Sequence, residues 1–82
     1  MKGGRAMENR MIDPIQLGKK LRILRGIRTR AEVSRATGLS QSRLGNYEHG
    51  LRIPNDEAKI LLANYYGMTV QELFYTYNNN ES

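Results

Sequence analysis

The stretch TRAEVSRATGLSQSRLGNYEHGLRIP, Thr29 to Pro54, decides the fold. It opens on Thr29-Arg30-Ala31-Glu32, a pattern in which the Thr hydroxyl and the Glu carboxylate each satisfy a backbone N–H at a helix start. The helix so begun runs through Val33 and Ala36 to Thr37. Gly38 supplies the left-handed position that ends it. Ser40 caps a further helix over 41–49, which turns Leu44 and Tyr47 inward and stops at Gly50. Two short helices joined by the tight turn Gly38-Leu39-Ser40 predict a helix-turn-helix. Leu39 is expected to plug the turn into the core. Ser34 is small enough to let the second helix of the pair come close.

Working outward, the same punctuation recurs. Asp13-Pro14 starts a helix ahead of this pair, with Asp as cap, Pro at the first helical position and Gln16 completing a capping box. Leu17, Leu21 and Leu24 fall on one face of it, and Gly26 stops it. After Pro54, Asn55 caps a fourth helix bearing Ala58, Leu61, Leu62, Tyr65 and Tyr66, ended by Gly67. Thr69-Val70-Gln71-Glu72 is a second T-x-x-E start, followed by Leu73 and Phe74. No segment alternates with the strand period, and no hairpin turn signal occurs. The expected fold is all-α: a compact bundle of five short helices within a domain spanning 13–77. Residues 1–12 read as a loose arm and 78–82 as a polar tail, since neither holds enough apolar surface to offset ordering.

Composition narrows the function. The 82 residues give room for one small domain. The absence of cysteine excludes disulfides and thiolate metal sites, and a lone His49 makes neither a zinc site nor a catalytic dyad. No metal or cofactor is expected. No apolar run approaches the roughly 20 residues of a membrane helix, and Met1 to Ile12 lacks the apolar stretch of a secretory signal. The expected location is the cytoplasm. The net charge of +5 is unevenly placed. Residues 19–52 carry nine Lys+Arg against Glu32 and Glu48, net +7, whereas 53–82 are net −3 and the first 18 net +1. A positive field over the first three helices suits a polyanion.

The helix at 41–49 shows how such a partner is read. With Leu44 and Tyr47 inward, Gln41, Ser42, Gly45, Asn46 and His49 face out, and Arg43 lies on the flank. A solvated face mixes Lys with Glu. This one offers amides and hydroxyls, and Gln or Asn can bond adenine bidentately in a major groove. Gly45 costs about 1 kcal/mol of helix propensity against Ala, which close approach to a groove would justify. Arg30, Arg43, His49 and Arg52 surround the face as candidate phosphate ligands, which position a reader without specifying sequence.

From Leu17 to Phe74 the chain resembles the Cro/lambda-repressor-like, Xre-type helix-turn-helix family. The resemblance rests on Leu24-Arg25, Thr29-x-Ala31-Glu32-Val33, Gly38-Leu39-Ser40-Gln41-Ser42-x-Leu44, Tyr47-Glu48-x-Gly50, Pro54, Leu61-x-x-x-Tyr65, Gly67-Met68-Thr69-Val70 and Glu72-Leu73. It implies a homodimer that reads a palindromic double-stranded DNA operator as a repressor, in the cytoplasm or nucleoid of a bacterium or phage. Base contacts carry over to Gln41, Ser42 and Asn46, and phosphate contacts to Arg30, Ser40, Arg43, His49 and Arg52. The family's buried ion pair maps to Arg25 and Glu48. Three positions depart from the pattern. Arg30 stands where Gln is usual, Thr37 where an aliphatic residue is common, and the loop 26–29 is short.

Other classes of function fit the sequence less well. The same fold serves antitoxin-like modules that bind a partner protein, and Leu73, Phe74, Tyr75 and Tyr77 form an apolar cluster suited to that or to the dimer interface, with Leu73 and Phe74 the members expected to join the core. A membrane-surface helix is disfavoured because the apolar side of 17–24 is needed for the core. An enzyme is rejected: there is no Gly-rich phosphate loop, and the adjacent Asp56 and Glu57 diverge by about 100° on a helix. No small-molecule-binding domain is expected.

Overall fold

A computed structural model describes residues 12–75. The sequence-predicted helices appear in order as α1 (Pro14–Arg25), α2 (Arg30–Thr37), α3 (Gln41–Glu48), α4 (Asp56–Tyr65) and α5 (Val70–Phe74). There is no strand among the described residues.

Each helix begins where its cap dictates. The Asp13 carboxylate accepts from the N–H groups of Ile15 (2.9 Å) and Gln16 (3.3 Å). The expected return bond from the Gln16 side chain is absent among the described residues, so this start is a simple cap. Thr29 with Glu32, and Thr69 with Glu72, form complete reciprocal boxes. Ser40 and Asn55 accept from the N–H groups of Arg43 and Ala58. Gly38 ends α2 at φ 83°, in the left-handed region that side chains rarely adopt. The α3 helix stops one residue earlier than the sequence predicts, and His49 becomes its C-cap.

The core is one cluster to which all five helices contribute. Leu17 and Leu21 come from α1, Val33 from α2, Leu39 from the turn, Leu44 and Tyr47 from α3, Ala58, Leu62 and Ala63 from α4, and Leu73 and Phe74 from α5. At about 1.5–3 kcal/mol for each fully buried large aliphatic or Phe side chain, this cluster is the main favourable term. Leu39 is buried as expected, whereas Ala36 lies exposed. Thr37 is buried in an apolar position because its hydroxyl is fully used. It donates to the Val33 carbonyl (2.8 Å) and accepts from the Leu39 N–H (3.2 Å), which ties the turn to the helix before it.

α1 makes a tight approach to α3. Gly18 lies against the end of α3, where an added Cβ would collide with the Glu48 carbonyl group. Ile12, read as part of the arm, instead packs on the core. A shallow groove between α1 and α5 is lined by Ile12, Leu17, Ile23, Leu24, Leu73 and Phe74, with Lys19 and Lys20 at its rim. No helix among the described residues is long and apolar enough to cross a membrane.

Candidate nucleic-acid interface

On α3 successive residues turn by about 100°, so Gln41, Ser42, Gly45, Asn46 and His49 fall within an arc of about 140°. Leu44, Tyr47 and Glu48 occupy the opposite side and are buried. Gln41, Ser42, Arg43 and His49 are exposed, and Asn46 is half-buried. Asn46 shares a depression with Arg43, Tyr47, Arg52, Ile53 and Asn55, so the far end of the polar face runs into the start of α4. The Asn46 carbonyl accepts from the N–H groups of Leu51 (2.9 Å) and Arg52 (3.3 Å), which folds the following loop back onto the helix end.

The cations differ in how firmly they are held. Arg43 is exposed but steadied: its Nε donates to the Tyr47 hydroxyl at 3.2 Å, and its guanidinium lies 5.9 Å from that ring's centre. Arg52 is exposed on the loop after α3. Ser40 uses its hydroxyl as the α3 cap. Arg30, a candidate phosphate ligand from the sequence, already has partners within the domain. Its Nε donates to Glu48 Oε1 at 3.0 Å, and its Nη2 lies 3.4 Å from His49 Nε2. Its guanidinium also lies over the bare backbone of Gly45, about 3.9 Å from where a Cβ would stand. The glycine therefore faces a neighbour within the domain as well as the outside.

Beneath this face sits the ion pair expected from the sequence. Arg25 donates to Glu48 through Nε (2.8 Å to Oε2) and Nη2 (3.0 Å to Oε1), a two-pronged bond. The Arg30 bond makes it a triad, and the Glu48 side chain is only 4% exposed. Burial opposes ionisation of Glu48, but the hydrogen bonds and charges of Arg25 and Arg30 outweigh it and hold the carboxyl below its ordinary value. The hydrogen bond to Glu48 in turn raises Arg25. Arg25 also donates through Nη1 to the Arg28 carbonyl at 2.7 Å, and Arg28 stacks over Tyr65 and Tyr66. The short loop 26–29 is thereby anchored to α4, with Arg25 still in register with Glu48.

Two contributors escaped the sequence reading. Arg22 donates to the Glu48 carbonyl at the end of α3. Gly18, Arg22 and Arg25 recur at i, i+4 and i+7, a second stripe beside the leucine stripe of α1. That spacing was the available signal, hidden because none of the three is apolar enough to register.

The apolar cluster at 73–77 is divided between the core and the surface. Leu73 and Phe74 are 1% and 3% exposed in the single chain, so their surface is already spent on the core. Tyr75 is half-buried, and its hydroxyl accepts from Lys59 Nζ at 2.7 Å. Tyr77 lies outside the described residues, as do residues 1–11 and the tail.

Comparison with known proteins agrees with this geometry. A helix-turn-helix family model matches residues 19–73, from the middle of α1 to α5. No curated protein and no solved structure matches the chain. The chain belongs to the Cro/C1-type, Xre-like helix-turn-helix family of DNA-binding regulators.

Proposed function

We propose that this protein is a sequence-specific transcription regulator, acting as a repressor, that binds a palindromic double-stranded DNA operator as a homodimer. The observation that carries the reading is the composition of α3's outer face. Gln41, Ser42 and Asn46 lie along it, exposed or half-buried, while the helix's only acid, Glu48, is sequestered behind it. An amide-rich face free of carboxylates suits base edges flanked by phosphates. Gln41, Ser42 and Asn46 are assigned to bases, and Ser40, Arg43, His49 and Arg52 to phosphates.

The dimer follows from the size of the reader. A single helix of eight residues touches few base pairs, and two-fold pairing doubles the site. The protein-interaction alternative drew on exposed aromatics at 73–77, and burial of Leu73 and Phe74 takes away half of that cluster.

Selection of bound duplexes from a random pool tests the proposal. The expected product is a palindrome whose half-sites lie about 10 bp apart, one helical turn. Recovery of unrelated sequences at equal frequency rejects sequence-specific reading. A single, unrepeated half-site rejects the dimer.

A further inference from the structure

We infer that Arg30 is a positioning residue for the recognition helix α3, and that it sets sequence discrimination rather than neutralising a phosphate. The inference rests on the DNA-reading role proposed for α3, and concerns how that helix is held. Three contacts place Arg30 across the junction of α2 and α3. Its Nε donates to Glu48 Oε1, its Nη2 meets His49 Nε2, and its guanidinium plane covers Gly45. Both of these side-chain hydrogen bonds join α2 to the end of α3, and among the described residues Arg30 supplies them both. The other ties on that end, from Arg22 and Arg25, come from α1.

The consequence is mechanical. The turn Gly38-Leu39-Ser40 fixes the start of α3 relative to α2, and Gly38 at φ 83° is its pivot. Arg30 fixes the other end of α3 to the first residue of α2. With both ends tied to one helix, the angle between α2 and α3 is set. A side chain reads a base edge only if it is held within about 0.5 Å and 10–20° of its productive geometry. Release of Arg30 leaves the Glu48 end of α3 with side-chain hydrogen bonds to Glu48 from α1 alone among the described residues, and loosens the placement of Gln41 and Asn46 relative to the groove. Two of the three guanidinium nitrogens are engaged within the domain, by Glu48 and His49.

The test compares Arg30→Gln with the wild-type chain on two duplexes of equal length. One carries the sequence recovered by random-pool selection, and the other is its scramble. Positioning predicts that the ratio of the two affinities falls at least tenfold while the slope of log affinity against log salt is unchanged. A phosphate ligand predicts equal loss on both duplexes and a slope shallower by about 0.9. That result, or no change in either quantity, overturns the inference. Arg30→Lys covers a variant that fails to fold. It keeps the charge, so a phosphate ligand leaves the ratio at the wild-type value. A positioning residue still loses discrimination, because one ammonium cannot span Glu48 and His49 as the guanidinium does. Wild-type protein that binds both duplexes equally sinks the DNA reading instead. Amide hydrogen exchange then judges Arg30 by itself. Arg30→Gln is expected to speed exchange at Leu44 to His49 and to spare α4, and unchanged exchange at α3 overturns the inference.

Discussion

Arg25 grips Glu48 with two nitrogens, at 2.8 and 3.0 Å, and so joins the last residue of α1 to the last residue of α3. The carboxylate it holds is 4% exposed and also receives Arg30. Glu48 is thus the one acid in the basic half, apart from Glu32, because three elements converge on it. Glu32 is spent on the capping box of α2.

This arrangement makes stability depend on acid pH. The folded state holds the Glu48 carboxyl below its ordinary value, so the unfolded chain takes up the proton first. The stabilisation is complete above the unfolded glutamate pKa and drains as pH falls through the lower folded one. Urea unfolding at pH 7 and pH 3 checks this. Glu48→Ala is expected to cost about 3–5 kcal/mol at pH 7, since it leaves two arginines without their partner. The gap between wild type and variant should narrow markedly at pH 3. An equal gap at both values contradicts the assignment.

Gly18 and Gly45, which both face neighbouring helices, respond oppositely to a methyl group. Gly18→Ala drives a Cβ into the Glu48 carbonyl, backbone that cannot move aside cheaply. A loss of about 1–3 kcal/mol is expected from the forced separation of α1 and α3. At Gly45 the added Cβ meets the Arg30 guanidinium at an ordinary 3.9 Å. Gly45→Ala should therefore raise stability by about 0.5–1 kcal/mol through helix propensity. If α3 lies deep in a groove, the same variant binds DNA more weakly. Thermal unfolding and gel shift on one preparation read both effects.

Base and phosphate roles separate by salt. Gln41→Ala and Asn46→Ala are each expected to weaken operator binding by about 1–3 kcal/mol and leave binding to scrambled DNA nearly unchanged. Arg43→Ala and Arg52→Ala should weaken both duplexes alike and flatten the salt dependence by about 0.9 per contact. A gel-shift series at several salt concentrations distinguishes the two patterns. Equal loss on both duplexes for Asn46→Ala removes it from the base-reading set.

Thr37→Val keeps the shape of the side chain and deletes its hydroxyl. The Leu39 N–H then loses its partner in a buried turn. A destabilisation of about 1–3 kcal/mol is expected by chemical denaturation, in contrast to the gain usual when a buried position turns apolar. A neutral or stabilising outcome shows that the turn finds another acceptor.

Helix starts and stops were legible in the sequence because caps act through neighbours. Thr29, Ser40, Asn55 and Thr69 each bond an N–H three residues on, a relation visible in one dimension. The Arg25–Glu48 pair was legible only through resemblance, since nothing local links positions 23 residues apart. The partners of Arg30 and the role of Gly18 were not legible, for a physical reason. A cation at a helix start shows no partner until the fold brings a carboxylate to it, and a glycine beside a leucine stripe carries no hydropathy signal. Leu73 and Phe74 belong to an apolar cluster near the chain end that can serve core or interface, and a domain this small spends both on its own core.

The short α5 carries a further consequence for how the domain opens. Five residues cannot hold a helix in water unaided, so α5 depends on its capping box, on Leu73 and Phe74 in the core and on long-range ties such as the Lys20–Glu72 carbonyl bond at 2.8 Å. That bond spans 52 residues, so it closes late in folding and can part without disturbing the caps of α2 and α3. Within the described residues, a protease acting on the native protein is therefore expected to cut first near 67–75, while α2 and α3 remain folded.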